Sequence, residues 1–503
     1  MTGLHKLRAK GLLLGIGLAG LSLLVPLSAG AYSEMQSFGN YTYDKNRTAV
    51  AIPDAYVHSR TVALACDQGI AAKNPQDMYV APDGRIVIAD TDNNRILILD
   101  ENYRFLSAVS EITDSTGAVS TLNKPEGVYV YESGELLIAD TQNGRIVRCD
   151  AQGNASRIIG KPAGMTGVSE ESQFLPVKLS VDKLGRIHVI ARNINYGILQ
   201  LDEAGTFLGF IGAPSVQPDL FTLFWRQFST QAQKDQMVQF VTTEYSNLYI
   251  DEENFIWGTI STLEEDDLLS AIANHDRSGS VTPIRRLNAL GNDLLKRNGQ
   301  SAPLGDLDIE ETPSKIIDVA VGSSGMYSML DSTRGHIFTY DVNGNLLYIF
   351  GSLGLKAYEF QRPAAISYVG RSLVVLDAGL HQLQVFEPTA YGSLVYEAVS
   401  AQYEGDFASA YALWTQLAAQ NSNFEYAFIG LGNAKLDAKQ YTEAMAYFKH
   451  ANDTEGYSKA FTQWRRQFLQ DALPVVLTVV IVVSVALLIF FRIRKIYRYY
   501  KNL

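Results

Sequence analysis

The 503-residue chain has few of the residues that build the common reactive sites. It contains two cysteines, too few for a disulfide framework or a cysteine-rich zinc module. Its seven histidines are scattered, and none has the His-x-x-x-His or His-Glu-x-x-His spacing of a zinc site. The sequence also has no Gly-x-Ser-x-Gly elbow and no phosphate-binding loop. It therefore predicts no catalytic residues, no metal site and no cofactor, and it favours a protein that is not an enzyme.

Basic residues are also scarce. Lys and Arg number 42 against 53 Asp and Glu, which gives a net charge of −11. A nucleic-acid-binding surface needs clustered Lys and Arg, so no nucleic-acid partner is expected. Two acidic runs, at 251–253 and 264–267, lack the spacing of a calcium-binding EF-hand, and we expect both to face solvent.

Long apolar runs are confined to the two ends of the chain. Residues 1–31 carry three basic residues, an apolar run and a small-residue site, which is typical of a secretory signal peptide cleaved after Ala31. An uncleaved anchor is the alternative. Residues 472–491 lack charge and are long enough to cross the ~30 Å hydrocarbon core as a helix. The tail 492–503 has five basic residues and no acid, which predicts a cytoplasmic tail. We therefore expect a single-pass cell-membrane protein with its N-terminal ectodomain outside.

The region 56–390, which follows an N-terminal extension at 32–55, is built from repeats. Residues 75–100 align with 125–150 at an offset of 50, further copies begin at Pro176, Pro313 and Pro363, and a degraded copy lies at 247–261. Each copy alternates apolar and polar residues and breaks at turn sequences such as Asp-Gly, which predicts short antiparallel strands. Stacking such sheets in a ring buries both of their faces, so we expect a six-bladed β-propeller. Residues 56–64 would supply the strand that closes the ring; an open solenoid is the alternative.

The unit resembles the NHL repeat, through the pattern Pro…Asp-Gly-x-Ile-x-Ile-Ala-Asp-Thr-x-Asn-x-Arg-Ile in its first two copies. Its Asp recurs at four positions (Asp90, Asp140, Asp331 and Asp377). A repeated Asp near a repeated Arg looks like a site, but a residue found in most blades is usually structural. We expect each Asp to accept backbone N–H groups in its turn and each Arg to pair locally. A function should then lie where the blades differ.

Two insertions, at 214–246 and 262–280, interrupt the repeats and are predicted to be helical. The first contains candidates for ligand binding at the propeller rim, namely Phe224, Trp225 and Arg226. The alternative is that its aromatic residues dock the helix on the blades.

Residues 391–424 and 425–458 are two copies of a helical pattern at an offset of 34. Ala410 and Trp414 of the first copy correspond to Ala444 and Phe448 of the second. The pattern resembles the tetratricopeptide repeat, which has two helices per unit and small residues where helices cross. Residues 457–471 would form a capping helix that completes a helical domain at 391–471 and continues into the membrane.

The whole order of segments is similar to a family of surface proteins of Gram-positive bacteria, some of which lie near components of carbohydrate importers. The resemblance implies a non-catalytic scaffold that binds a partner protein or a ligand next to the membrane, with a link to a carbohydrate transport system. The alternative is a calcium-dependent hydrolase similar to the six-bladed lactonases. Its channel candidates are Asp77, Glu126 and Asp318, which we place at equivalent positions near the starts of three repeats. The alternative is that these three residues are simply polar side chains that line a water-filled channel.

Overall fold

The computed structural model of the protein describes residues 39–66, 69–165, 167–212, 244–307 and 312–502. The predicted signal peptide and most of the first insertion, including Phe224, Trp225 and Arg226, lie outside these residues.

The described residues form short strands followed by a helical region. The strands are β1 (Tyr41–Tyr43), β2 (Ala49–Ala51), β3 (Tyr56–Ala63), β4 (Asp77–Val80), β5 (Ile86–Asp90), β6 (Arg95–Leu99), β7 (Phe105–Val109), β8 (Glu111–Thr113), β9 (Val119–Thr121), β10 (Pro125–Val130), β11 (Leu136–Asp140), β12 (Arg145–Cys149), β13 (Ala155–Ile159), β14 (Leu175–Val181), β15 (Ile187–Arg192), β16 (Ile198–Leu201), β17 (Phe207–Ile211), β18 (Asn247–Ile250), β19 (Ile256–Thr259), β20 (Ile284–Leu287), β21 (Ile316–Val321), β22 (Tyr327–Asp331), β23 (Ile337–Tyr340), β24 (Leu346–Phe350), β25 (Pro363–Val369), β26 (Ser372–Asp377) and β27 (Gln382–Pro388). The helices are α1 (Glu265–Ala273), α2 (Ala390–Glu404), α3 (Phe407–Gln420), α4 (Glu425–Asp437), α5 (Tyr441–His450) and α6 (Thr454–Lys501).

Six antiparallel sheets form a closed β-propeller, which confirms the predicted fold and rules out a solenoid. The blades are β4–β7, β10–β13, β14–β17, β18–β20, β21–β24 and, for the sixth, β25–β27 with β3. The first strand of each blade contacts its counterparts in the two neighbouring blades, so these six inner strands surround a central channel. The strand β3 pairs with β27 from Tyr56 to Ala63 and closes the ring, as the sequence predicts.

Apolar side chains fill the space between neighbouring blades. Val87 and Ile96 of the first blade pack with Ile138 and Val147 of the second, and all four are fully buried. Both faces of the middle strands of the blades are therefore covered, which explains runs such as Ile-Val-Ile-Ala-Asp in β5 that are buried at every position.

The repeated aspartates tie together the four blades that carry them, as expected. Asp140 accepts the N–H of Asn123 at 2.7 Å and the Nε–H of Arg145 at 2.7 Å. Asp90 makes the same contacts with Lys73 and Arg95. These buried carboxylates accept hydrogen bonds from backbone N–H groups of the segment that precedes the inner strand. Their role is structural.

The acidic runs behave differently from each other. Residues 264–267 are exposed at the start of α1, as predicted, and lie where the helix dipole favours acids. The prediction for Asp251 is wrong, because this residue is buried and accepts the indole N–H of Trp257 at 2.8 Å. Arg286 also pairs with it at 3.2 Å. These two donors offset the cost of removing the carboxylate from water.

The helical region contains two helical hairpins, α2–α3 and α4–α5, with α6 packed against α5. The repeated Ala410, Trp414, Ala444 and Phe448 are all fully buried. Small residues allow this close packing, since a Cβ on Gly430 would lie 2.5 Å from the Trp414 ring. The 48-residue helix α6 is long and apolar enough to cross a membrane, and its apolar segment is exposed.

Candidate functional site

The central channel is lined by one residue from each inner strand. Strand registers place six residues at the same level of the channel: Asp77, Gly127, Lys178, Asn247, Asp318 and Ala365. Glu126 is not among them, so its predicted equivalence to Asp77 and Asp318 is wrong. At the repeat offset of 50, Gly127 corresponds to Asp77 and Glu126 corresponds to Gln76, and the Glu126 carboxylate pairs with Arg192 at 2.6 Å.

An ion pair crosses the channel between Asp77 and Lys178. The Lys178 ammonium lies 2.7 Å from Oδ1 of Asp77 and also donates to the Gln76 carbonyl at 3.2 Å. The other oxygen of Asp77 accepts the N–H of Val128 at 2.9 Å. Both carboxylate oxygens of Asp77 are therefore engaged, and the first, second and third blades are joined at this level.

Asp318 is fully buried and bonded only to N–H donors among the described residues. It accepts the N–H groups of Val319 and Ile366, each at 2.7 Å, and the side-chain amide of Asn247. Burial raises the pKa of Asp318 to about 7, although the Lys178 charge and the N–H groups act in the opposite direction. This aspartate therefore changes protonation state near neutral pH.

The raised pKa of Asp318 predicts a specific pH dependence of stability. An unfolded chain loses this proton near pH 3.8 and the folded chain near pH 7, so the folded state binds more protons between these values. Its contribution to stability is complete below pH 3.8 and is lost as the pH rises to 7, by about 4 kcal/mol in total. Replacing Asp318 with Asn should remove this slope.

Denaturant unfolding of both proteins between about pH 4 and pH 8 measures the effect. The absolute stability of Asp318→Asn is not the readout, because an amide cannot accept all the bonds of the carboxylate. The readout is the change with pH in the difference between the two free energies of unfolding. As the pH rises, wild type should lose stability relative to Asp318→Asn. Parallel profiles would contradict the assignment.

The channel residues do not fit a catalytic calcium site. Calcium takes six to eight oxygen ligands, whereas the carboxylate oxygens of Asp77 and Asp318 are taken by N–H donors and an ammonium group. The channel cavity is also small, at about 100 Å³. Tyr79 lines this cavity and packs against Tyr129, with ring centroids 4.9 Å apart. In the described part of the channel, polar side chains that bond to one another fill the space at this level.

A larger cavity lies between the fifth blade and the helical region. This cleft has a volume of about 470 Å³, within the range of ligand-binding sites. Its floor is Asp341, a fully buried carboxylate that accepts the hydroxyl of Tyr426 in α4 and the side-chain amide of Asn345 at 2.9 Å. Burial raises the pKa of Asp341, and these hydrogen bonds oppose the shift. The floor thus fixes the hairpins against the blade.

The walls of the cleft combine aromatic and amide side chains. Tyr403 and Phe407, at the turn between α2 and α3, remain 44% and 37% exposed. Amide groups lie around them, on Asn298, Gln300, Asn343, Gln402 and Asn433. Residues 453–459 at the start of α6 complete the wall. The sequence did not reveal this cleft, because its residues come from several segments spread over more than 150 positions. The one sign of Phe407 in the sequence was its place in the helical repeat.

Comparison with known proteins identifies the repeat. Residues 73–99 match the sequence profile of the NHL repeat. The matched residues cover the first three strands of the first blade. No curated protein matches the chain. The streptogramin B lyase structure is 12% identical, with a TM-score of 0.40 over 67% of this chain and 100% of the lyase. Virginiamycin B lyase from Staphylococcus aureus is 11% identical, with a TM-score of 0.39 over 65% of this chain and 98% of the lyase. An aldose sugar dehydrogenase from Streptomyces coelicolor is 11% identical, with a TM-score of 0.35 over 67% of this chain and 100% of the enzyme.

Proposed function

We propose that the protein is a non-catalytic, membrane-anchored scaffold that binds an extended segment of a partner protein in the cleft between the NHL-type propeller and the helical hairpins. The observation that carries this proposal is that three parts of the chain form the cleft: the fifth blade, the hairpins and the start of the long apolar helix. Side-chain amides can bond the backbone of a bound peptide in either direction, since each has a donor and an acceptor.

The chemistry of the cleft favours a polypeptide partner over a small apolar ligand. Polar groups outnumber aromatic ones on its walls, and two exposed aromatic rings at one end supply anchors for apolar side chains. The hairpins have the two-helix units and offset of tetratricopeptide repeats, whose stacked helices form concave binding surfaces.

The proposed topology places this cleft next to the membrane. We propose that α6 spans the cell membrane, with the propeller outside and the basic tail inside, after removal of a signal peptide. Because α6 runs without a break from the cleft wall into its apolar segment, a bound partner would lie close to the bilayer. The similarity to Gram-positive surface proteins suggests a component of carbohydrate uptake as that partner.

Site-specific photocrosslinking tests the proposal in membranes of the native host. A photoreactive amino acid at position 407 should yield one discrete crosslinked adduct. The same residue at position 208, where Leu208 is 51% exposed on the outer strand of the third blade, should yield none. For the double variant Tyr403→Ala/Phe407→Ala, the probe is placed at the nearby position 433. The adduct should then form at least about tenfold less than from the same probe without the two substitutions, as expected when two interface anchors are lost.

Two outcomes would count against this function. Adducts of equal yield at 407 and 208 would indicate non-specific proximity. Calcium-dependent hydrolysis of a lactone by the purified protein, lost on Asp318→Asn, would instead support the alternative of a lactonase-type enzyme.

A further inference from the structure

A second cluster of polar side chains lies on the outer part of the fifth blade, and the function proposed above does not use it. It joins strand β1, the loop before β21 and the turn between β22 and β23. Its members are Tyr41, Tyr43, Asp306, Asp331, Arg334 and His336.

We propose that this cluster is a binding site for a hard trivalent cation, ferric iron, with Tyr41, Tyr43, Asp306 and His336 as its ligands. Phenol, carboxylate and imidazole groups supply the oxygen and nitrogen donors that bind iron in proteins. Among the described residues, the carboxylates and imidazole of Asp306, Asp331 and His336 also form a group with potential ligand atoms all within 4.8 Å of one another.

The distances between the donor atoms match the edges of a metal coordination shell. The Tyr41 hydroxyl lies 2.9 Å from Oδ1 of Asp306 and 3.2 Å from Nδ1 of His336. The Tyr43 hydroxyl lies 2.8 Å from the same Oδ1, and Nδ1 of His336 lies 2.8 Å from Oδ2. Adjacent ligands at metal bonds of about 2.1 Å are separated by about 3 Å when they subtend a right angle at the metal. These four separations are therefore compatible with neighbouring ligands on one ion.

Without a metal ion, several side chains of the cluster compete for the same hydrogen-bonding atoms. The Tyr41 hydroxyl donates its one proton to Oδ1 of Asp306, so its contact with Nδ1 of His336 is a hydrogen bond only when Nδ1 donates. Nδ1 of His336 likewise faces both a carboxylate and a phenol, and it can donate to only one of them. A cation at the centre would satisfy all four side chains together.

The site also occurs where the blades differ. In the first two blades, the position of His336 is Arg95 or Arg145, which pairs with the repeated aspartate at 2.6–2.7 Å. In the fifth blade, Asp331 is held by backbone N–H groups of Lys315 and Thr333. His336 turns instead to Asp306. In this blade, the imidazole is therefore available as a metal ligand, while backbone N–H groups still hold the repeated aspartate in place.

Charge balance favours a trivalent ion. Two carboxylates and two phenolates carry four negative charges, and the guanidinium of Arg334, 3.3 Å from Asp306, carries one positive charge. A trivalent cation would offset more of this negative charge than a divalent one. The His336 side chain is 18% exposed, which leaves a route for entry.

Spectroscopic titration of the full-length protein in detergent tests the proposal, with ferric nitrilotriacetate as the probe. We expect a visible phenolate-to-iron charge-transfer band that saturates at one iron per chain. The double variant Tyr41→Phe/Tyr43→Phe should lose the band. A matched pair of substitutions in the channel, Tyr79→Phe and Tyr129→Phe, should retain it.

Independent measurements keep the proposal falsifiable if the double variant fails to fold, as judged by circular dichroism. His336→Gln should then weaken iron binding by about tenfold or more, as is typical for loss of a group that supports a metal. Absence of the band in the folded wild-type protein would overturn the proposal. A band that survives both sets of substitutions would do the same, as would binding of Zn²⁺, Mn²⁺ or Ca²⁺ that excludes iron.

Discussion

Replacing Lys178 with methionine is expected to destabilise the propeller by about 3–5 kcal/mol, the cost of removing one partner from a buried ion pair. The Lys178 and Asp77 side chains are each only 11% exposed, and the ammonium is the cationic partner of Asp77 across the channel. Methionine fills similar space without a charge. The change also removes the positive charge that lowers the pKa of Asp318, so that pKa should rise further.

Denaturant unfolding of the full-length protein in detergent at about pH 8 measures this loss. Lys73→Met is the matched control, because the Lys73 side chain is exposed, and it should change stability by less than about 0.5 kcal/mol. Adding Asp77→Asn to Lys178→Met should recover part of the loss, since no unpaired carboxylate then remains at that position. A Lys178→Met protein as stable as wild type would show that the pair does not stabilise the ring.

Replacing Trp414 with alanine should destabilise the helical region by a similar amount, about 3–5 kcal/mol. Trp414 is fully buried, packs on Gly430 and meets the Tyr426 ring edge-on at 5.2 Å. Its indole N–H donates to Gln402 at 3.0 Å. The cavity left behind would also loosen Tyr426, the residue that bonds Asp341 at the floor of the cleft.

Thermal unfolding followed by helical circular dichroism tests this expectation. Phe407→Ala on the same helix is the control: its side chain is partly exposed, so it should cost about 1 kcal/mol while removing an anchor of the cleft. We therefore expect Trp414→Ala to reduce both stability and crosslinking strongly, and Phe407→Ala to reduce crosslinking with only a small loss of stability. Equal melting temperatures for the two variants would contradict the packing described for Trp414.

The parts of the fold that the sequence predicts are those encoded by local pattern. Alternating residues and turn dipeptides locate strands within each repeat, and the offset of 50 fixes the blade. The helical pairs follow in the same way from Ala410, Trp414 and their partners at an offset of 34. The closing strand was predictable because a ring of blades needs one more strand than its last repeat supplies.

The candidate sites depend on contacts that no local pattern encodes. Glu126 is an exception, because the offset of 50 already aligns it with Gln76, outside the channel level, and aligns Gly127 with Asp77. The contact between Lys178 and Asp77 spans 101 positions, and that between Tyr41 and Asp306 spans 265. Strand β1, which brings the two tyrosines to the fifth blade, pairs with β24 through Tyr41 and Ile349. Only the three-dimensional arrangement brings these side chains together.

The pairing of β3 with β27 also sets the order in which the chain can fold. Residues 56–63 emerge early in synthesis, but their partner at 382–388 follows more than 300 residues later. Until then, the outer strand of the sixth blade has no partner, and β3 presents an unpaired edge that is prone to pairing with other chains. Ring closure is therefore a late, long-range step, and we expect it to limit the folding rate. The helix α2 begins only two residues after β27, with the N–H of Thr389 bonded to the carbonyl of Ala55, so the helical region can dock only once the ring has closed.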